Sequence, residues 1–299
     1  MEGLQQPGFW PFTATVDWCE ENYTTSFYIA EFWNTISNLV IMFFGLFGIY
    51  TSIRCKTEIH FILAYFFLFI VGIGSFIFHC TLTWEGQLLD EVPMIFTSMP
   101  LLYAMAGMKI YDQKKKDLLK ILLYAYPLFL IPVYVYWKNY EIFLVGYAVT
   151  VWIMIFWGYY QGKYIQKISD QNIHIFPNQP ISMYWKSIMT YGMAFVFWVV
   201  DQAFCDQLKQ LKSEVGPFFS PFLEFHAIWH FGSGYGTYLL IVCNQQAYAL
   251  MNQFDSKFQN FFKEKSFRYK GDHFFKGILP YIRPIREKDL EHNKQVKVE

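Results

Sequence analysis

The stretch EFHAIWHF, residues 224–231, sets His226 and His230 four apart among apolar neighbours. On a helix this spacing puts both imidazoles on one face, about 6 Å apart along the axis. They can serve as neighbouring metal ligands or as partners in interhelical hydrogen bonds. Ala227 stands where a zinc protease of the HExxH type needs Glu, so that chemistry is excluded here. A second cluster lies in GSFIFHCTLTWEGQLLDEVP, residues 74–93. Ser75 and His79 repeat the i, i+4 spacing, a short loop is expected around Trp84 to Gln87, and Asp90 with Glu91 follow. Three histidines with a fourth position open form a common catalytic zinc site, in which a bound water's pKa falls to about 7. Cys80 is the rival ligand nearby, but it points about 100° around the helix from His79 and reads as a packed thiol. His60, His174, His273 and His292 are expected at the surface, in loops or the tail.

A third cluster, DWCEENYTTSFYIAEFWN at 17–34, offers oxygen ligands from Asp17, Glu20, Asn22 and Glu31. Hard oxygens of this kind suit calcium. They also suit a solvated acidic collar in which Glu31 favours a helix N-terminus through its dipole. The glycine and twelve-residue loop of an EF-hand are missing. Asn22-Tyr23-Thr24 is a glycosylation sequon, and a glycan on Asn22 would exclude metal ligation by it.

The elements that must carry these clusters follow from composition. Of the 299 residues, 54% are hydrophobic, 22% aromatic and 16% charged, with a formal net charge of zero, which points away from nucleic acid as a partner. The apolar residues fall in seven blocks, about 32–53, 59–80, 88–108, 117–137, 141–161, 182–204 and 218–243. Each is long enough to cross roughly 30 Å of hydrocarbon as a helix. All of the 24 basic residues except Lys138, Lys209 and Lys212 fall on one side of the resulting topology, so the positive-inside rule makes the N-terminus lumenal and the tail cytosolic. Residues 1–30 hold no Lys or Arg and no apolar core of a signal peptide, so the first span is expected to direct insertion. The predicted organisation is an all-α integral membrane seven-helix bundle at 32–243, preceded by a lumenal segment at 1–31. A basic, aromatic tail at 244–299 reads as partly disordered or held to anionic lipid, with protein partners unspecified. In this topology Ser75, His79, Asp90, His226 and His230 all approach the lumenal side. Such costly intramembrane polar groups mark a hydrolytic site or, in a receptor or transporter, a ligand pocket or pathway.

From about residue 9 to about 245 the chain closely resembles the alkaline ceramidases, within a superfamily of seven-span membrane hydrolases that includes adiponectin-receptor-like proteins. The resemblance rests on FWPFTATVDWCEENYTTSFYIAEFWNTISN, the S-x-x-x-H of Ser75 and His79, LLDEVPM with Asp90, and the H-x-x-x-H of His226 and His230. It implies a zinc-dependent amide hydrolase that cleaves ceramides to a sphingoid base and a fatty acid. Zinc would be held by His79, His226 and His230, Asp90 would be the general base, and Ser75 would assist the carbonyl or oxyanion. Calcium ligands would come from Asp17, Glu20, Asn22, Glu31 and the Trp18 carbonyl. The resemblance also implies a disulfide between Cys19 and Cys205 and residence in the Golgi or endoplasmic reticulum. A sister activity on another lipid amide or ester would use the same metal site.

Overall fold

Residues 8–170, 180–255, 269–274 and 279–284 are described by the structure, a computed structural model. Among the described residues eight α-helices run in chain order: α1 Phe32–Cys55, α2 Ile59–Thr81, α3 Trp84–Gly107, α4 Gln113–Trp137, α5 Tyr140–Asp170, α6 Pro180–Ala203, α7 Cys205–Val215 and α8 Phe225–Phe254. Two strands, β1 Tyr269–Phe274 and β2 Leu279–Pro284, follow as an antiparallel pair with Tyr269 opposite Pro284.

Helices α1, α2, α4 and α5 are long and apolar enough to cross a membrane, and α6 with α7, bent by 91° at their junction, gives a fifth such unit if counted as one span. With 24 and 30 residues, α3 and α8 have the length but carry more polar groups. The reason is their position: Gln87, Glu91, His226, His230, Asn244 and Gln245 are buried inside the bundle rather than turned to lipid. By contrast α4 and α5 hold large apolar side chains outward, among them Leu128, Phe129, Phe156 and Trp152. A multi-pass membrane protein distributes its surface in this way, because lipid rather than water meets the outer face.

Close approach of α2 and α3 sets up the site. Gly74 permits it, since a Cβ there would overlap the Leu89 carbonyl, one residue before Asp90. The chain reverses between these helices at Leu82, whose φ of 50° is left-handed, and Thr83 caps α3 by accepting from Gly86 N at 3.2 Å. The reversal therefore falls earlier than the loop expected around Trp84 to Gln87, which is instead the first turn of α3. Three further departures have physical causes. The segment after α6 forms α7, whose Leu208, Leu211 and Val215 share one helical face. Helix α8 continues past residue 243 to Phe254 because its amides find partners inside: Gln245 donates to Ser52 Oγ at 2.8 Å and accepts from Tyr65 at 3.2 Å. Part of the tail is ordered as the β1–β2 pair, where Pro280 O accepts from Tyr238 at 2.7 Å and Leu279 and Ile282 are buried.

His60 is likewise no surface loop residue. It lies in the first turn of α2 against Phe61, Tyr103 and Tyr248, with Nε2 buried. His273 belongs to β1, and His174 and His292 lie outside the described residues.

Candidate metal centre and cavity

His79 from α2 and His226 and His230 from α8 meet. Their ring centroids are 5.0 Å (His79 to His226), 4.8 Å (His79 to His230) and 4.6 Å (His226 to His230) apart. One nitrogen from each lies within 4.8 Å of the others, which no further group of three His, Cys, Asp or Glu achieves among the described residues. All three rings are buried.

Two of them are held from behind. Glu31, at the N-cap of α1, pairs through Oε2 with His79 Nδ1. Ser37, in the second turn of α1, bonds His230 Nδ1 at 2.8 Å. These contacts fix ring orientation and leave His79 Nε2 without a partner; His226 Nδ1 is likewise buried and unpaired. An unsatisfied buried nitrogen costs about 1–3 kcal/mol. Two of them in a trio whose nitrogens lie within 4.8 Å of one another would be satisfied by a cation, and imidazoles backed by second partners, as His79 and His230 are, suit a transition metal. The trio could hold a metal ion.

The site opens onto a cavity of about 440 Å³ between α2, α3, α5, α6 and α8, walled mostly by aliphatic and aromatic side chains. His226, His230, Ser75 and Asp90 line it, and the Asp90 carboxylate lies beside the Ser75 hydroxyl. Beside them Glu91 accepts from Gln87 Nε2 at 2.9 Å and from Tyr134, which leaves it engaged and Asp90 the freer acid.

The N-terminal acidic residues gather less tightly. Asn22 Nδ2, the atom a glycan would take, donates to Asp17 Oδ1 at 3.3 Å, while Asn22 Oδ1 is buried without a partner. Glu20 is turned to the start of α1, accepting from Trp33 N at 2.7 Å and Asn34 N at 2.8 Å. Glu31 faces both clusters: Oε1 accepts from Trp18 N at 3.3 Å, and Oε2 meets His79. Burial pushes the Glu20 carboxyl up to about 7. It pushes Glu31 well above the carboxylate range, helped by the nearby charges of Glu20 and Asp17. The Trp18 indole stacks on His226 at 3.9 Å and 22°. The Cα atoms of Cys19 and Cys205 lie 5.3 Å apart with their sulfurs in bonding contact. Among the described residues Cys55, Cys80 and Cys243 take no part in a disulfide.

Ser37, and the contact between Glu31 and His79, were not among the residues expected from sequence. Ser37 is 193 residues from its histidine and belongs to no local motif.

With that geometry in place, comparison with known proteins gives a consistent result. Residues 10–274 match the family model described as Ceramidase. Alkaline ceramidase 3 of Mus musculus is 33% identical over 240 residues, covering 80% of this chain and 86% of its own. The putative alkaline ceramidase dcd3A of Dictyostelium discoideum is 33% identical over 257 residues, covering 76% and 84%. Alkaline ceramidase YPC1 of Saccharomyces cerevisiae is 30% identical over 251 residues, covering 79% and 77%.

Proposed function

The chain belongs to the ceramidase family, and on that footing we propose that it hydrolyses the amide bond of ceramides inside a membrane, releasing a sphingoid base and a fatty acid. The observation that carries this reading is the buried histidine trio with unpartnered nitrogens, opening onto an apolar cavity that Asp90 and Ser75 also line.

An amide resists hydrolysis because its carbonyl is a poor electrophile and its amine a poor leaving group. A zinc ion on His79, His226 and His230 would polarise that carbonyl and acidify water at neutral pH. The protein's own groups do the remainder. Asp90 takes the proton of the attacking water on a carboxylate oxygen and returns it to the sphingoid nitrogen as the C–N bond breaks, so one group serves as base and then acid. Ser75 has a single hydroxyl proton. With substrate present it donates to the carbonyl oxygen as negative charge develops there. Apolar walls accept hydrocarbon chains and keep bulk water from the reacting centre.

The seven long helices are read as seven spans, with the N-terminus lumenal and the tail cytosolic, supported by the one-sided distribution of Lys and Arg. Asp17, Glu20, Asn22, Glu31 and the Trp18 carbonyl are read as ligands of a structural calcium ion. A cation would take the place of the protons that burial favours on Glu20 and Glu31 and would give Asn22 Oδ1 a partner. The paired sulfurs of Cys19 and Cys205 are read as a disulfide, in keeping with a lumenal face in the Golgi or endoplasmic reticulum. The test is incubation of purified protein with ceramides of defined chain length, measuring released sphingoid base. Release by the wild type and its loss in Asp90→Ala are expected; no release across several chain lengths would overturn the reading.

A further inference from the structure

Two runs of the chain before α1, GFWPFTATV at 8–16 and YTTSFYIA at 23–30, hold no charged residue. They are pinned to each other and to the end of α2. Phe9 N donates to Phe27 O at 3.0 Å, Trp10 Nε1 donates to Tyr28 O at 3.0 Å, and the Tyr23 hydroxyl donates to Trp10 O at 3.1 Å. Thr13 N and Ala14 N donate to Leu82 O at 3.2 and 3.1 Å, and Ala30 N donates to Cys80 O at 2.9 Å. The backbone polar groups and the indole N–H are thus turned inward, while the rings are not. Phe9, Trp10, Phe27 and Tyr28 all stand exposed, Phe27 at 53% and Tyr28 at 63%. The Phe9 ring lies 4.8 Å from that of Trp10 and 5.4 Å from that of Tyr28, and Tyr28 lies 5.3 Å from Phe27, so the four form one patch. Contiguous exposed aromatics of this kind mark a contact surface.

The neighbours of the patch identify what covers it. Cys80 Sγ meets Tyr28 O at 3.8 Å, and Cys80 shares a face of α2 with Ile77, three residues earlier and exposed. Ile77 belongs to the outer surface of a helix long and apolar enough to cross a membrane, as do Leu39 and Phe43 of α1. The aromatic patch therefore carries a lipid-facing surface onward past the end of α2, at the level where hydrocarbon gives way to headgroups. Trp, Tyr and Phe suit that level, because an apolar ring enters the acyl region while polar groups stay with the headgroups. We propose that Phe9, Trp10, Phe27 and Tyr28 form an interfacial anchor, inserted into the leaflet on the histidine side of the membrane, which holds the N-terminal segment to lipid as well as to the bundle. The lipid surface is that of the protein's own membrane. The anchor requires a membrane-spanning bundle but neither a cation in the segment nor ceramide cleavage.

The test attaches a fluorophore to an added cysteine in the full-length protein, held as a single copy in lipid nanodiscs. Cys80→Ser removes the partly exposed thiol, and Cys55 and Cys243 are buried. Phe27→Cys and Tyr28→Cys report on the patch from two positions, so that the test survives if one of them does not fold. Glu21→Cys, exposed in the same segment, reports on water, and Phe129→Cys, on the outer face of α4, reports on lipid. Three quenchers are compared: lipid bearing a nitroxide next to its headgroup, lipid bearing one at the end of its acyl chain, and aqueous iodide. The patch labels should be quenched several-fold more by the headgroup-side nitroxide than by either other quencher, since anchoring side chains lie about 5–10 Å into the boundary. The Glu21→Cys label should respond to iodide instead. Patch labels quenched by iodide and not by lipid would overturn the proposal. So would protection from all three quenchers, because another part of the chain would then cover the patch. A Phe129→Cys label that meets no lipid, by contrast, would overturn the membrane reading itself.

Discussion

Replacing Glu31 with Gln removes the carboxylate that a zinc ion on His79 would draw into its charged form, while keeping the size of the side chain, and the contacts set the scale of the loss. His79 Nδ1 is bonded to a fully buried carboxylate, whereas His230 Nδ1 is bonded to a neutral serine hydroxyl at 2.8 Å. A hydrogen bond to a charged group contributes about 1.5–3 kcal/mol and a neutral one about 0.5–1.5 kcal/mol. Gln still offers a neutral bond, so at about 1.36 kcal/mol per tenfold change Glu31→Gln should weaken zinc by the difference, about 1–1.5 kcal/mol or roughly 5- to 15-fold, and Ser37→Ala roughly 2- to 10-fold. The assay is competition with a zinc chelator of known affinity on purified protein in calcium-free buffer, so that the second role of Glu31 does not enter. Activity with zinc in excess should return for Ser37→Ala and return at higher zinc for Glu31→Gln. Unchanged zinc affinity in Glu31→Gln, or a larger loss in Ser37→Ala, would refute the reasoning that charge behind the ligand sets the affinity.

Other outcomes follow from the same contacts. Asp90→Asn should retain one zinc per chain by elemental analysis yet lose sphingoid-base release by at least about 100-fold, the lower range for a general acid–base group. Gly74→Ala should lower stability by about 1–3 kcal/mol, read by thermal unfolding, because the added methyl meets the backbone of α3 rather than a movable side chain. The pair Cys19 and Cys205 spans a sequence separation of 186. Opening it with Cys205→Ser should cost about 2–5 kcal/mol, detected as a lower Tm that reductant no longer changes. Calcium should stabilise more at pH 8 than at pH 6. The raised Glu20 carboxyl contributes stability below its unfolded value and loses it as pH rises through about 7, and calcium binding to the deprotonated form replaces what is lost. Thermal shift at the two pH values, with calcium and with chelator, measures the difference.

The grouping of the histidines was legible in the sequence where it is local. The i, i+4 pairs Ser75/His79 and His226/His230 share helix faces because of helical geometry alone, and packing of α2 against α8 brings their histidines together. What could not be read were the partners that orient the ligands. Ser37 meets its histidine only through packing of α1 against α8, and single polar residues in apolar helices leave no periodic signal. The end of α8 was hidden for a related reason. Asn244, Gln245, Gln246 and Asn252 look like an exit from hydrocarbon, yet they are buried in the bundle. Helix α7 was within reach, since Leu208, Leu211 and Val215 recur at helical spacing among charges. The tail strands were not, because basic residues among aromatics suit a membrane surface as well as a hairpin.

The central claim is that the three histidines form one metal site on which hydrolysis depends. Stepwise return of zinc to metal-free protein, with ceramide cleavage measured at each addition, tests it most directly. Activity should rise linearly and stop at one zinc per chain in the wild type, and His230→Ala should gain none at the same zinc concentrations. Full activity in zinc-free protein, or equal recovery in His230→Ala, would contradict the account.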